Sequence, residues 1–224
     1  MAHHSETAVV DLSHVIDNGM TTYPGLPGPR ICDFWDRESS AQNYDDGSSF
    51  HIARIDMVAN TGTYLDAPFH RFETGFDLAD LPLRSIANIP GIIVQRPFEE
   101  GLETRAEHFA NLDVRGKAVL VHTGWDQYWR RASYGVDHPF LASDAADWLI
   151  ENGAVLVGID SNNIDDTRRR ERPVHTRLLG AAIPICEHLT RLADVRGERF
   201  QFSAVPARLR GVGSFPVRAY ALVG

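Results

Sequence analysis

Residues 60–70 read Asn-Thr-Gly-Thr-Tyr-Leu-Asp-Ala-Pro-Phe-His, and no other stretch of the chain gathers so much chemistry in so few positions. Asp66 is an oxygen ligand or an acid–base group, and His70 follows it by four residues. Pro68 fixes its own φ and keeps Ala67 extended, so Asp66 and His70 are expected on one rigid corner. Gly62 is free to adopt a backbone conformation closed to other residues, which lets the chain approach a ligand closely. Thr61 and Thr63 add hydroxyls. The plain alternative is a Thr/Asp-rich turn ending in a solvated histidine, and the residues alone leave both readings open.

A second constellation lies downstream. His175 and Glu187 bracket an apolar run, Leu178-Leu179 through Ile183-Pro184-Ile185-Cys186. Taken alone, the pair also reads as a loop histidine and a glutamate at an element end. Around these segments, short apolar runs recur: Val9–Leu12, Ile52–Ala59, Gly91–Val94, Ala118–His122, Ala154–Ile159, Phe200–Val205 and Val217–Val223. Several are continuous rather than alternating, as strands covered on both faces require. Thr104 with Glu107 has capping-box spacing before a short helix. Ser143 is placed to cap a second helix through Trp148 and Ile150 that stops at Asn152-Gly153, and residues 176–182 suit a further short turn. Strands with a few interleaved helices predict an α/β or α+β domain. Residues 20–50 and 160–175 read as long irregular segments of the kind that carry function.

Composition narrows the classes. The 224 residues are 43% apolar and carry a net charge of −8. A core is affordable, and the acidity disfavours nucleic acid or an anionic membrane as partner. No apolar run reaches the roughly 20 residues of a spanning helix. The start, Met-Ala-His-His-Ser-Glu-Thr, lacks the basic and apolar regions of a signal peptide, so a cytoplasmic location is expected. Cys32 and Cys186 make no C-x-x-C pair, and each is expected to pack as a small apolar group. The chain divides into a tail over residues 1–8 and one domain over 9–224.

These residues resemble the cyclase family that includes bacterial kynurenine formamidase and isatin hydrolase. The family signature, His-x-Gly-Thr-His-x-Asp-x-Pro-x-His, maps onto residues 60–70 with Asn60 and Tyr64 at its first two histidines. His175, Leu178-Leu179, Ile183-Pro184-Ile185 and Glu187 resemble its second motif. Asp11-Leu12-Ser13-His14 resembles the opening strand. Tyr23-Pro24-Gly25 resembles a Pro-Gly-Asp loop whose aspartate is here Leu26. Thr123-Gly124-Trp125 and Gly158-Ile159-Asp160-Ser161 resemble strand ends that border the pocket. The resemblance implies a swivelling β/β/α-type single domain with a mixed-sheet barrel-like core, a homodimer or higher homo-oligomer, and hydrolysis of small amides, lactams or lactones.

The two departures bear on the metal. In the intact signature two histidines and the aspartate hold a divalent ion, and in some members the later histidine and glutamate help hold a second. Asn60 and Tyr64 are poor Zn²⁺ ligands. Three readings follow: one ion (Zn or Mn) on Asp66, His175 and Glu187; a harder ion that also uses Asn60; or no metal, with Tyr64 and Asn60 bonding the oxyanion and His70 as base. His51 is the nearest spare imidazole. The expected roles are His70, Tyr64 and Asp66 in catalysis, Asn60, Phe69, Tyr23 and Trp125 at the substrate, and Asp66, His175 and Glu187 at the metal. No organic cofactor is expected. Phe69, Phe72, Trp125 and Tyr23 suit an aromatic substrate. The run Arg168-Arg169-Arg170-Glu171-Arg172 either clamps a substrate carboxylate or is a solvated loop paired with Asp165 and Asp166. The alternatives to hydrolysis are a metal-free lyase, isomerase or cyclase using Tyr64 and His70, and a non-catalytic small-molecule binder.

Overall fold

The apolar runs form a sheet because both of its faces are covered. In a computed structural model describing residues 8–196 and 199–224, the chain forms β1 (Ala8–Asp11), β2 (Arg30–Trp35), β3 (Ile52–Asp56), β4 (Tyr64–Asp66), β5 (Ile89–Gln95), β6 (Glu103–Thr104), β7 (Ala118–His122), β8 (Phe140–Leu141), β9 (Leu156–Ile159), β10 (Ile185–Glu187), β11 (Phe200–Ser203), β12 (Ser214–Pro216) and β13 (Tyr220–Val223). Helices α1 (Arg37–Ala41), α2 (Ser143–Glu151) and α3 (Pro173–Gly180) are interleaved, with short 3₁₀ turns between.

Nine strands make one mixed sheet, ordered β1-β13-β11-β5-β7-β9-β10-β4-β12, which curls into a half-barrel. Its centre, β5-β7-β9-β10, is parallel, and both flanks are antiparallel. Successive residues on β7 serve opposite faces: Ala118 and Leu120 join one core with Leu65, Leu156, Cys186 and Phe202, while Val119 and Val121 join a second with Val157, Ile159, Ile185 and Leu178. That two-sided demand explains the unbroken Ala-Val-Leu-Val.

Several sequence expectations need correction. Residues 20–50 are not uniformly irregular, since they contain β2 and α1. Val217–Val223 is not one strand: Ser214–Pro216 and Tyr220–Val223 are separate, because β12 pairs with β4 and β13 with β1 and β11. The Thr104/Glu107 cap does not form; the Arg105 N–H donates to His108 Nδ1 at 2.9 Å ahead of a 3₁₀ turn over Ala106–Phe109. Ser143 is the first residue of α2 and Ala142 its cap. Cys32 is exposed on β2, whereas Cys186 is buried. The expected tail lies outside the described residues except for Ala8, which belongs to β1. Among the described residues no helix is long and apolar enough to cross a membrane.

Candidate active site

The period-two geometry of three adjacent strands assembles the site. On β4, Leu65 turns into one core, so Tyr64 and Asp66 both point to the other face. Across from them in register, β10 places Glu187 opposite Tyr64, and β12 places Ser214 opposite Asp66. All four are buried. α3 covers this face and brings His175 in its first turn, with Val174 and Leu178 anchoring it in the core. After β4, Ala67 is extended (φ −93°, ψ 163°), and Pro68 starts a 3₁₀ turn that ends on His70. That turn lies against Gly213, where an added Cβ would come within 2.4 Å of the His70 nitrogen. Gly62 takes φ 66°, but the group it lets close is Ile16, 2.9 Å from where its Cβ would stand, not a ligand.

His175 is the hub. Its Nδ1 donates to Asp165 Oδ2 at 2.7 Å, and Asp165 also accepts the backbone N–H groups of Val174 and His175. This fixes the tautomer and turns Nε2 toward Asp66 Oδ2 at 3.5 Å and Glu187 Oε1 at 3.6 Å. Three buried carboxylates therefore converge on one imidazole. Burial alone would lower His175, but Glu187, Asp165 and Asp66 outweigh it and hold it up at about 10. Burial raises Glu187, against the opposing pull of His175.

His70 is the exposed member, with its side chain 35% accessible. The Ser214 hydroxyl donates to Asp66 Oδ1 and lies 2.8 Å from His70 Nδ1, so Nδ1 is the proton donor of that pair. The His70 Nε2 lone pair is thereby left free. Asp66, His70 and His175 form a group of metal-capable residues whose ligand atoms all lie within 4.8 Å of one another. The Asp66 Oδ2 atom is buried with no hydrogen-bond partner. A divalent cation fits these donors: it would satisfy that orphaned oxygen and balance the surplus of carboxylates, and imidazole with carboxylate is the donor set of Zn²⁺ and Mn²⁺ sites.

The Tyr64 side is knitted by hydrogen bonds. The Tyr64 hydroxyl donates to Glu187 Oε2, and Ile164 N–H donates to Oε1 at 2.6 Å. Tyr23, from the loop before β2, donates to the Asn162 carbonyl at 2.6 Å and stands 2.8 Å from the Tyr64 hydroxyl. His188 touches Tyr23 through Nε2 (3.2 Å) and Tyr134 through Nδ1 (2.9 Å). Burial pushes its pKa well below the usual range, so it stays neutral.

The structure thus brings Tyr64, Asp66, His70, His175, Glu187 and Tyr23 together. Asn60 is half-buried in the bend before β4 and, among the described residues, joins none of these hydrogen bonds. His51 instead bonds Asp33 on the β2–β3 hairpin, at 2.8 Å. Trp125 is buried against Phe98 and Tyr128, its Nε1 donating to the Tyr134 carbonyl. Phe69 sits half-buried in the 3₁₀ turn. Phe72 lines a neighbouring cavity of about 340 Å³ with Pro68, Phe76 and Leu179. The arginine run forms a loop in which Arg168 pairs with Asp166 and Arg172 donates to the Arg169 and Glu171 carbonyls. Asp165 is not part of that pairing, since His175 claims it. A larger cavity of about 810 Å³ lies beyond Asp165, lined by Phe140, Asp144, Arg105 and Arg168. Sequence reading missed Ser214, Asp165 as a partner of His175, and His188. Ser214 carries no local signal beyond its place after Gly213, whereas His188, adjacent to Glu187, was open to notice.

The chain is similar to known proteins over nearly its whole length. The family model described as "Putative cyclase" matches residues 10–166. Kynurenine formamidase from Geobacillus thermodenitrificans is 26% identical over 212 residues, covering 94% of this chain and 95% of the relative. Kynurenine formamidase from Bacillus cereus is 27% identical over 210 residues, with the same coverage. A solved structure titled as a potential metal-dependent hydrolase with cyclase activity superposes with a TM-score of 0.77 at 27% identity, covering 97% of this chain and 98% of that one. Isatin hydrolase A from Labrenzia aggregata shares the fold, with a TM-score of 0.81 at 20% identity over 97% of this chain and 94% of that one.

Proposed function

Because the chain belongs to the cyclase family, we propose that it is a small-molecule hydrolase of amide, lactam or lactone bonds, carried by the single domain of residues 9–224. The observation that carries this reading is the convergence of Asp66, Glu187 and Asp165 on His175, with the half-exposed His70 beside them. The relatives named kynurenine formamidase support the acylated-amine class of substrate.

A divalent metal, Zn or Mn, would be held by Asp66 and His175, two of the three metal-capable residues gathered there, with Glu187 Oε1, 3.6 Å from His175 Nε2, as third ligand and His70 kept as base. When bound, it would polarise the substrate carbonyl and acidify water. The chain's own residues do the rest. His70 takes a proton from water at Nε2, hydroxide adds to the carbonyl carbon, and the carbon–nitrogen bond breaks as that proton passes to the leaving amine. Ser214 and Asp66 hold the His70 ring in the tautomer this requires. Asp165 does the same for His175. Tyr64 acts through Glu187, whose Oε2 it fixes.

Tyr23 and Phe69 border the cluster and Asn60 precedes it; we assign them to the substrate side, with Trp125 behind through Tyr134. Aromatic side chains there favour an aromatic acyl or aryl group. The unpaired Cys32 and Cys186 suit a reducing compartment, and we place the enzyme in the cytoplasm. The exposed apolar side chains of the β2–β3 hairpin support a homo-oligomer.

The test is a screen of formanilides, aryl lactams and aryl lactones, with metal counted by inductively coupled plasma mass spectrometry before and after chelation. Turnover of at least one class, lost on chelation and restored by Zn²⁺ or Mn²⁺, is expected. Chelator-insensitive turnover would overturn the metal assignment, and saturable ligand binding without product would make the protein a binder.

A further inference from the structure

We propose that the centre takes a single divalent cation and that Tyr64 is the residue that limits it to one. This rests on the metal-assisted reading above and deepens it. On one side of His175 a ligand atom stands open: Asp66 Oδ2 is buried and without a partner, 3.5 Å from Nε2. On the other side the ligand atoms are spent. Glu187 Oε2 accepts the Tyr64 hydroxyl and lies 3.3 Å from that of Tyr23. Glu187 Oε1 accepts the Ile164 N–H at 2.6 Å and lies 3.6 Å from His175 Nε2, so one remaining lone pair of Oε1, on the His175 side, is what Glu187 has to share with an ion. His188 is engaged at both nitrogens, by Tyr134 and Tyr23. Asp165 gives both oxygens to Val174 and His175.

A second ion on this side would have to reach Glu187 Oε2. The Tyr64 phenol stands there, buried, with its ring 5.3 Å from that of His188. A neutral phenol is a weak ligand, while its O–H is a good donor to carboxylate. Displacing it would also break the Tyr23 contact with Tyr64, at 2.8 Å. A buried network in which each member is satisfied resists such a change, because every freed polar group carries a desolvation cost. An imidazole at position 64 would reverse the balance, offering a nitrogen ligand where the phenol offers a proton.

The test counts ions. Chelator-stripped wild-type protein, Tyr64→His and Tyr64→Phe are titrated with Zn²⁺ and with Mn²⁺ by calorimetry. Bound metal is then measured by inductively coupled plasma mass spectrometry, and folding is checked by circular dichroism. Wild type is expected to bind one equivalent per chain. Tyr64→Phe frees Glu187 Oε2 but supplies no ligand atom and stays at one, and Tyr64→His exceeds one and approaches two. Two equivalents in wild type would overturn the single-ion inference while leaving metal-assisted hydrolysis standing. A folded Tyr64→His protein that stays at one would remove Tyr64 as the limiting residue. Should Tyr64→His fail to fold, Tyr64→Cys takes its place as a smaller variant that supplies a ligand atom, and a folded Tyr64→Cys protein that stays at one equivalent would remove Tyr64 as the limiting residue. No ion in wild type would overturn this inference together with the metal reading.

Discussion

Of Asp66, His70, His175 and Glu187, His70 alone is exposed, and its exposure separates its role from that of its neighbours. Its removal takes away a base and little packing. His70→Ala is therefore expected to lower kcat by roughly 10²–10⁴-fold, the usual worth of a positioned base, with the melting temperature nearly unchanged. Ser214→Ala removes the hydroxyl that fixes the His70 tautomer but leaves the ring, so a smaller loss, on the order of tenfold, is expected. Initial rates on whichever aryl amide is turned over, beside a thermal melt, check both; near-normal turnover by His70→Ala would refute the base assignment. His14 tests a different residue-level claim. It stacks on Trp129 at 4.1 Å, and its buried Nε2 has no partner. Burial lowers it to about 4, partly opposed by Asp126. A histidine depressed in the fold binds its proton more weakly there than in the unfolded chain. Its neutral form thus favours folding above pH 6.5, and that stability is lost as pH falls toward 4. The same holds for His188, whose pKa burial also depresses. Between pH 6.5 and 4.5 His14 and His188 pull the melting temperature down, while Asp160 and Glu187, both raised to about 7 by burial, pull it up as they protonate; His14→Phe, which keeps the stack, should therefore lose less melting temperature over that range than wild type. An unchanged slope would mean that His14 does not carry the effect.

Among the elements, the ends of β7 and β9 are tied by one carboxylate. Asp160, just past β9, accepts the Thr123 and Gly124 N–H groups and the Thr123 hydroxyl, at 2.5–3.0 Å. Asp160→Ala would leave those donors buried and unpaired, at about 3 kcal/mol or more. For a domain of this size that is a fall in melting temperature of roughly 6–12 °C. Calorimetry checks it, and a change under about 2 °C would show the clamp to be dispensable. Such ties were half legible. The runs at residues 118–122 and 154–159 announced β7 and β9 because strands covered on both faces must be apolar throughout. β4 and β10 were not announced as strands. Each is three residues long and carries Asp66 or Glu187 inward, so the functional side chains erase the apolar signal that would mark a buried strand. β2 is exposed along most of its length and lacks a clean core-facing alternation, whereas its partner β3 falls inside the expected run Ile52–Ala59. The site was legible in the same uneven way. Asp66, His70, His175 and Glu187 stood out as titratable groups in apolar or Pro-fixed surroundings. Ser214 and Asp165 act through register and a helix start, which only pairing in space reveals.

At the scale of the whole molecule, the β2–β3 hairpin is the part that the single chain does not explain. Ile52–Asp56 is exposed at every position. Phe34 (61% exposed), Ile55 (57%), Trp35, Ile52 and Tyr44 all present apolar surface to solvent. A lone two-stranded hairpin is marginal in water, and a monomer rarely displays so much contiguous apolar surface. Strand polarity offers no relief, since the side chains project on both faces. A second copy would cover the patch with the same patch about a two-fold axis, the commonest way such surfaces are buried. Light scattering coupled to size exclusion should then give twice the chain mass or a higher multiple at micromolar concentration. Phe34→Glu combined with Ile55→Lys places charge in the patch and should shift the protein to the mass of one chain. Asp66, His70 and His175 lie outside the hairpin, so the variant should keep its affinity for metal. If wild type runs as a monomer across that concentration range, the hairpin is not a self-association surface.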